Sequence, residues 1–139
     1  MPHFAANLTF LFTEIPFMDR FSAAKQAGFD AVEFMFPYDY NMNDIKARLR
    51  ELGLSLVLCN LPAGNWAAGD RGTAANPERK HEFREGVAKG IEAAQALGFE
   101  RMNCLVGLKK DGLSDRETRE VLMENIRYAA GALGEAGIR

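Results

Sequence analysis

A chain of 139 residues, 47% hydrophobic and 26% charged with a formal net charge of −2, is long enough for one domain with its own core and has the composition of an ordinary globular protein. That balance excludes a disordered or fibrous chain and offers no basic surface for nucleic acid. No apolar run reaches the roughly 18 residues of a membrane span, and "MPHFAANLTF" lacks the charged-then-apolar order of a leader, so a cytoplasmic protein without membrane or nucleic-acid partners is expected.

The first apolar run, "FAANLTFLF" (4–12), is nearly continuous rather than alternating, the mark of a strand buried on both faces. In "PFMDRFSAAKQAG" the residues Phe17, Phe21 and Ala24 recur at helical steps; Pro16 suits the first helical position and Gly28 the end. A second strand, "AVEFMF" (31–36), precedes "NMNDIKARLRELG", which sets Ile45, Leu49 and Leu52 on one stripe and stops at Gly53. The third strand is "SLVLCNL" (55–61). After a long loop, Asn76 is placed to cap a helix that starts at Pro77, carries Phe83, Val87, Ile91 and Ala94 on its buried face and closes at Gly98. The fourth strand, "RMNCLVG" (101–107), leads to a helix opened by a capping box of Ser114 and Glu117. Val121, Leu122, Ile126, Ala129 and Leu133 form its stripe, and "GEAG" ends it. The two cysteines, Cys59 and Cys104, lie in apolar runs, which suits free buried thiols in a reducing compartment.

Strand then helix, four times, predicts an α/β fold with a parallel sheet and right-handed crossovers. Each helix-ending glycine is followed within a few residues by a strand, as in "GFDAVEF", "GLSLVL" and "GFERMNC", so "GIR" at 137–139 reads as the doorstep of a fifth. Four βα units are half of a (β/α)₈ barrel, which typically needs about 250 residues. The expectation is a single domain over 1–139, the N-terminal half of a TIM barrel, stopping before the fifth strand. Such a half would expose the edges of its first and fourth strands, so a homo-oligomer or association with the missing half-barrel is expected.

Chemistry in a barrel belongs at the C-terminal ends of its strands. The polar residues there are Asn7, Glu33, Asn60 and Asn103. A buried polar group without a partner costs about 1 to 3 kcal/mol, so each needs a hydrogen bond or a task. The asparagines serve equally as loop-backbone partners or as the lining of a polar pocket, and Glu33 equally as half of a structural ion pair or as a functional acid. The loop "NLPAGNWAAGDRG" (60–72) runs thirteen residues without apolar periodicity. Loops longer than about 12 residues are usually functional or disordered, and a tryptophan argues against disorder. Trp66 offers a water-excluding ring and Arg71 a bidentate clamp for a carboxylate; a packed Ω-loop with Arg71 in a surface ion pair is the alternative. His81 has no second histidine four residues on and reads as a solvated helix face, and His3 belongs to a mobile terminus. Lys109 and Lys110 in "GLKKDG" can meet an anion or stay solvated. No nucleophile–base pair and no complete metal set can be assembled.

The stretches "HFAANLTFLFTE", "GFDAVEFMFPYDY", "NLPAGNWAAGDRG" and "MNCLVG", with "ENIRYAA" in the last helix, resemble the N-terminal half of the hydroxypyruvate isomerase family, sugar-isomerase-like (β/α)₈ barrels, over essentially the whole chain. The resemblance implies interconversion of hydroxypyruvate and 2-hydroxy-3-oxopropanoate (tartronate semialdehyde), a small 2-oxo or hydroxy acid substrate, and proton transfer between adjacent carbons assisted by acidic residues and a divalent metal, Mg²⁺ or Mn²⁺. A related branch acts on 2-oxo-tetronates; "NWAAGDRG" looks more like the hydroxypyruvate branch. In the family the catalytic glutamates and metal-binding carboxylates lie in the second half of the barrel. The resemblance therefore carries no catalytic residue and no metal ligand onto this chain, and leaves Asn7, Glu33, Asn60, Trp66 and Arg71 as substrate-binding wall and lid. A catalytically silent half-barrel serving binding or assembly is a further alternative. An endonuclease of the same superfamily is disfavoured by the mildly acidic balance and the absence of clustered Lys and Arg on strand-end loops.

Overall fold

All four strands form in the computed structural model, which describes residues 2–139, but each is shorter than the apolar run that encodes it. β1 (Ala5–Asn7), β2 (Ala31–Glu33), β3 (Ser55–Asn60) and β4 (Met102–Asn103) alternate with α1 (Phe17–Gln26), α2 (Met42–Leu52), α3 (Lys80–Leu97) and α4 (Asp115–Glu135). The spans expected at 4–12 and 101–107 overreach most. After β1 the chain turns at once, with the amides of Phe10 and Leu11 both bonding the Asn7 carbonyl at 3.1 and 2.9 Å. After β4 it leaves the sheet to make an antiparallel bridge between Val106 and Gly72. Apolar character there serves loop packing rather than ladder formation.

The sheet runs in the order β1-β2-β3-β4. β1 and β2 are parallel, with Asn7 opposite Glu33. β2 and β3 are parallel with an irregularity between Val32 and Glu33. The Leu61 amide donates to the Asn103 carbonyl at 2.8 Å beside β4. This is the expected α/β arrangement of strand-then-helix units. No helix among the described residues is long and apolar enough to cross a membrane.

Two compact units divide the chain, one comprising the residues up to Cys59 with Ala93–Arg101, the other Asn60–Glu92 with Met102–Arg139. The first has Ala6, Leu8, Phe21, Ala24, Val32 and Ile45 without exposed surface. Burying a side chain such as Phe21 contributes about 1.5 to 3 kcal/mol. Phe17 meets Phe21 and Phe34 edge-on and stacks on Tyr40 with ring centroids 4.2 Å apart. Pro16 is the N-cap of α1 rather than its first helical residue, since α1 begins at Phe17. Asn41 caps α2 by accepting from the Asn43 amide at 2.9 Å, and Gly53 ends it at φ +59°, as the glycine predicts.

In the second unit Phe83, Val87, Ala129, Leu133 and Ile138 are buried. Asn76 caps a 3₁₀ turn, Pro77–Arg79, that feeds α3. The Ser114–Glu117 capping box forms. Val121, Leu122 and Ile126 are only half-buried, whereas Asn125, a polar residue among them on α4, has no exposed surface. The Arg139 carbonyl accepts from the Met102 amide at 2.8 Å.

Candidate functional site

In the first unit, parallel register brings Asn7 and Glu33 to the ends of β1 and β2. Asn7 Nδ2 donates to Glu33 Oε1 at 2.8 Å, and Asn7 Oδ1 accepts from the Thr9 amide at 3.0 Å. Thr9 Oγ1 in turn accepts from the Met35 amide at 2.9 Å. Glu33 is half-buried with an amide for a partner, not a cation, so the structural ion pair is set aside. Arg20 holds the loop after β1, donating from Nε to Ile15 O at 3.0 Å and from Nη1 to Leu8 O at 2.9 Å. In that loop Phe12 has φ +60°, the one described non-glycine residue in the left-handed region, and such strain gathers at functional segments.

A cleft of about 180 Å³ opens there, lined by Thr9, Arg20, Phe34, Met35, Asp39 and Tyr40 among others. A larger one, about 480 Å³, is lined by His3, Phe4, Ala31 and Ser55. It lies at the N-terminal ends of the strands, the wrong end for chemistry in a parallel α/β sheet. Burial pushes the Cys59 thiol up to about 12, which removes it as a nucleophile. Cys104 is half-buried rather than buried, and burial raises its pKa too.

In the second unit, buried Asn60 accepts from Asn103 Nδ2 through its Oδ1 at 3.1 Å. Asn65 caps a 3₁₀ turn, Trp66–Ala68, at the loop's centre. The Arg71 guanidinium lies over the Trp66 ring, 4.1 Å from its centroid, and Nη1 donates to Trp66 O at 3.2 Å and Asp70 O at 2.7 Å. Arg71 is thus held by backbone and a ring, not by a surface ion pair. Its Nε and Nη2 meet no acceptor among the described residues. That edge is the fork that binds a carboxylate with two parallel bonds.

In the same loop, Asp70 accepts from the Asn65 amide at 2.6 Å and from Arg79 Nη2 at 2.8 Å. Arg79 also grips Glu82 with bonds of 2.6 and 2.7 Å. Arg79 holds both carboxyl groups below their ordinary range. Gly72, at φ +121°, packs so close to the Leu105 carbonyl that a Cβ would overlap it, and one on Gly107 would overlap the Gly72 carbonyl. The lysines offered as anion ligands are engaged elsewhere: Lys109 with Asp115 at 2.5 Å, Lys110 with Glu78. His81 is exposed and 3.6 Å from Glu85.

Thr9, the Asp70–Arg79 pair and Asn125 escape a reading of the sequence. Of these only Asn125 leaves a signal, as a polar residue midway between Val121 and Ala129 on an apolar stripe. Among the described residues no three His, Cys, Asp or Glu side chains gather as a metal site. The residues present do not fit the divalent ion that the resemblance implies.

A family model described as xylose isomerase-like TIM barrel matches residues 21–139. The chain is 51% identical over 133 residues to hydroxypyruvate isomerase of Escherichia coli (strain K12), covering 96% of this chain and 52% of that protein. It is 41% identical over 138 residues to 2-oxo-tetronate isomerase of Cupriavidus necator, covering 99% and 53%. Among solved structures, the crystal structure of AP endonuclease, family 2 from Brucella melitensis is similar at a TM-score of 0.94 and 44% identity, over 99% of this chain and 53% of that one. The chain spans about half the length of the curated relatives it matches.

Proposed function

The chain belongs to the xylose isomerase-like TIM barrel family, and from that premise we propose that it supplies substrate-binding residues to an isomerase interconverting hydroxypyruvate and 2-hydroxy-3-oxopropanoate. The reaction moves one proton from C3 to C2 and shifts a hydroxyl proton between the two oxygens, so the atoms balance without an external reductant or oxidant. Its substrate carries a carboxylate that must stay fixed while the neighbouring carbons exchange protons.

The observation that carries the reading is the Arg71 fork, set over the Trp66 ring and held by two backbone carbonyls, with one edge that meets no acceptor among the described residues. In this reading Arg71 binds the substrate carboxylate and Trp66 excludes water around it. On its own geometry, the Asn7–Glu33 pair is suited to a substrate hydroxyl, since Glu33 is oriented by an amide that leaves its charge uncancelled. Asn60, steadied by Asn103, is a polar wall. The divalent ion, Mg²⁺ or Mn²⁺, is proposed for the complete enzyme with ligands outside this chain, and no role given to these residues runs through it. A homo-oligomer or a complementary half-barrel is proposed as partner, and the cytoplasm as compartment. Identity of 51% to the hydroxypyruvate isomerase against 41% to the 2-oxo-tetronate isomerase favours the former substrate.

The test joins this chain to the C-terminal half of the E. coli hydroxypyruvate isomerase and measures turnover of hydroxypyruvate and of a 2-oxo-tetronate, each with and without Arg71→Ala. Turnover of hydroxypyruvate is expected, with kcat/KM lowered tenfold or more by Arg71→Ala, a loss of about 1.4 kcal/mol or above. An unchanged kcat/KM removes Arg71 from the site. Preference for the tetronate reassigns the substrate.

A further inference from the structure

The residues Gly72, Thr73, Ala74 and Ala75 are all buried, though they belong to a loop. Buried backbone must find partners for its polar groups. The Gly72 amide donates to Ala63 O at 3.0 Å, the Ala75 amide to Val106 O at 3.0 Å, and Thr73 O accepts from the Asn76 amide at 3.2 Å. The carbonyl of Ala74, a residue with no exposed surface, is bonded by a side chain instead: Asn125 Nδ2, at 2.8 Å and 51 positions away in sequence.

Asn125 is itself wholly buried on α4, and its Oδ1 has no hydrogen-bond partner among the described residues. An amide that satisfies only one of its ends is a poor choice for packing alone, because leucine has the same branched skeleton, continues the apolar stripe and strands no oxygen. What leucine lacks is the donor. Ala74 lies three residues after Arg71 and two after the tightly packed Gly72, so whatever fixes its carbonyl fixes the base from which the Trp66–Arg71 stack projects.

We propose that Asn125 is a positioning residue: its buried amide donates to the Ala74 carbonyl and thereby holds the loop that presents Trp66 and Arg71. The functional meaning rests on the reading of Arg71 as a carboxylate fork. The mechanical content does not, and it is tested without turnover.

Trp66 is the single tryptophan of the chain, so its fluorescence reports this loop alone. In Asn125→Leu the far-UV spectrum should be retained while the acrylamide quenching constant of Trp66 rises at least about 1.5-fold, because the freed carbonyl draws the loop open toward water. A second variant guards against failure to fold. In Asn125→Asp the protonated acid can donate to Ala74 O and the ionised one cannot, so the ratio of variant to wild-type Trp66 quenching, taken at each pH, should be near one while that acid is protonated and climb as it ionises. A folded Asn125→Leu with wild-type quenching overturns the proposal, as does pH-independent, elevated quenching in Asn125→Asp. Trp66 quenching in the Asn125 variants reads the loop's anchoring and turnover in Arg71→Ala reads the carboxylate fork, so the two can fail separately.

Discussion

Gly72→Ala and Gly69→Ala form a matched pair that separates backbone strain from close packing in the same loop. Gly72 has φ +121° and Gly69 φ +98°. Either alanine incurs a conformational penalty of about 1 to 2 kcal/mol. At Gly69 that is the whole effect, since no atom of the described residues lies within 4 Å of an added Cβ. At Gly72 the added Cβ would overlap the Leu105 carbonyl oxygen and sit 2.6 Å from the Gly107 amide nitrogen. Both are backbone atoms and cannot rotate aside. The chain after β4 must retreat, which adds about 1 to 3 kcal/mol of overpacking. It also breaks the Ala75–Val106 hydrogen bond of 3.0 Å, worth about 1 kcal/mol. The expected losses are about 1 to 2 kcal/mol for Gly69→Ala and about 3 to 6 kcal/mol for Gly72→Ala. Urea unfolding followed by circular dichroism gives both, and the second should lower the melting temperature by roughly 10 °C or more. Equal losses in the two variants would refute the close approach of Gly72 to the β4 exit as a rigid contact.

Two further predictions follow from ionisable groups. Arg79 lowers Asp70 and Glu82 from their ordinary values of 3.8 and 4.5. A carboxylate with a folded pKa below its unfolded one stabilises the fold above the unfolded value and loses that contribution as pH falls through the folded one. Wild-type melting temperature should therefore drop below about pH 5, and Arg79→Met should lower stability at pH 7 while flattening that acid limb; parallel limbs would exclude the cluster as their cause. For the thiols, burial raises Cys59 to about 12 and raises Cys104 as well. Under native conditions at mildly alkaline pH, Ellman's reagent should react slowly with both and slowest with buried Cys59, and rapidly with both in urea. A Cys104→Ser variant whose remaining thiol titrates at once would contradict the burial of Cys59.

What could be read ahead of the structure was what is decided locally. The glycine that ends α2 and the Ser114–Glu117 box that opens α4 depend on residues three or four apart, and both form as the sequence suggests. Strand length is not local in that sense. The runs beginning at Phe4 and Arg101 are mostly apolar along their length, yet the sheet claims three and two residues of them, because ladder formation stops where a neighbouring segment stops offering partners. Partner identity is the same problem at the scale of side chains. Glu33 announces itself as an acid in an apolar run, but that its partner is Asn7 rather than a cation depends on the register of β1 against β2. Lys109 and Lys110 looked available to an anion only because Asp115 and Glu78 could not be placed beside them.

The long loop after β3 shows why its length is compatible with order. Arg79 takes hold of it at Asp70, the segment after β4 at Gly72 and Ala75, and Asn125 at Ala74. Those attachments come from three different places in the sequence, and together they immobilise the loop's second half while Asn65 caps the turn in its first. Backbone entropy of about 1 to 2 kcal/mol per residue opposes ordering any such segment, so anchors of this number are what a fixed loop requires. On the loop so fixed stand Trp66, more than a third exposed, and Arg71 stacked upon it. A loop anchored only to pack would bury its largest side chain, whereas this one buries Gly72 to Ala75 and presents its tryptophan and its arginine fork.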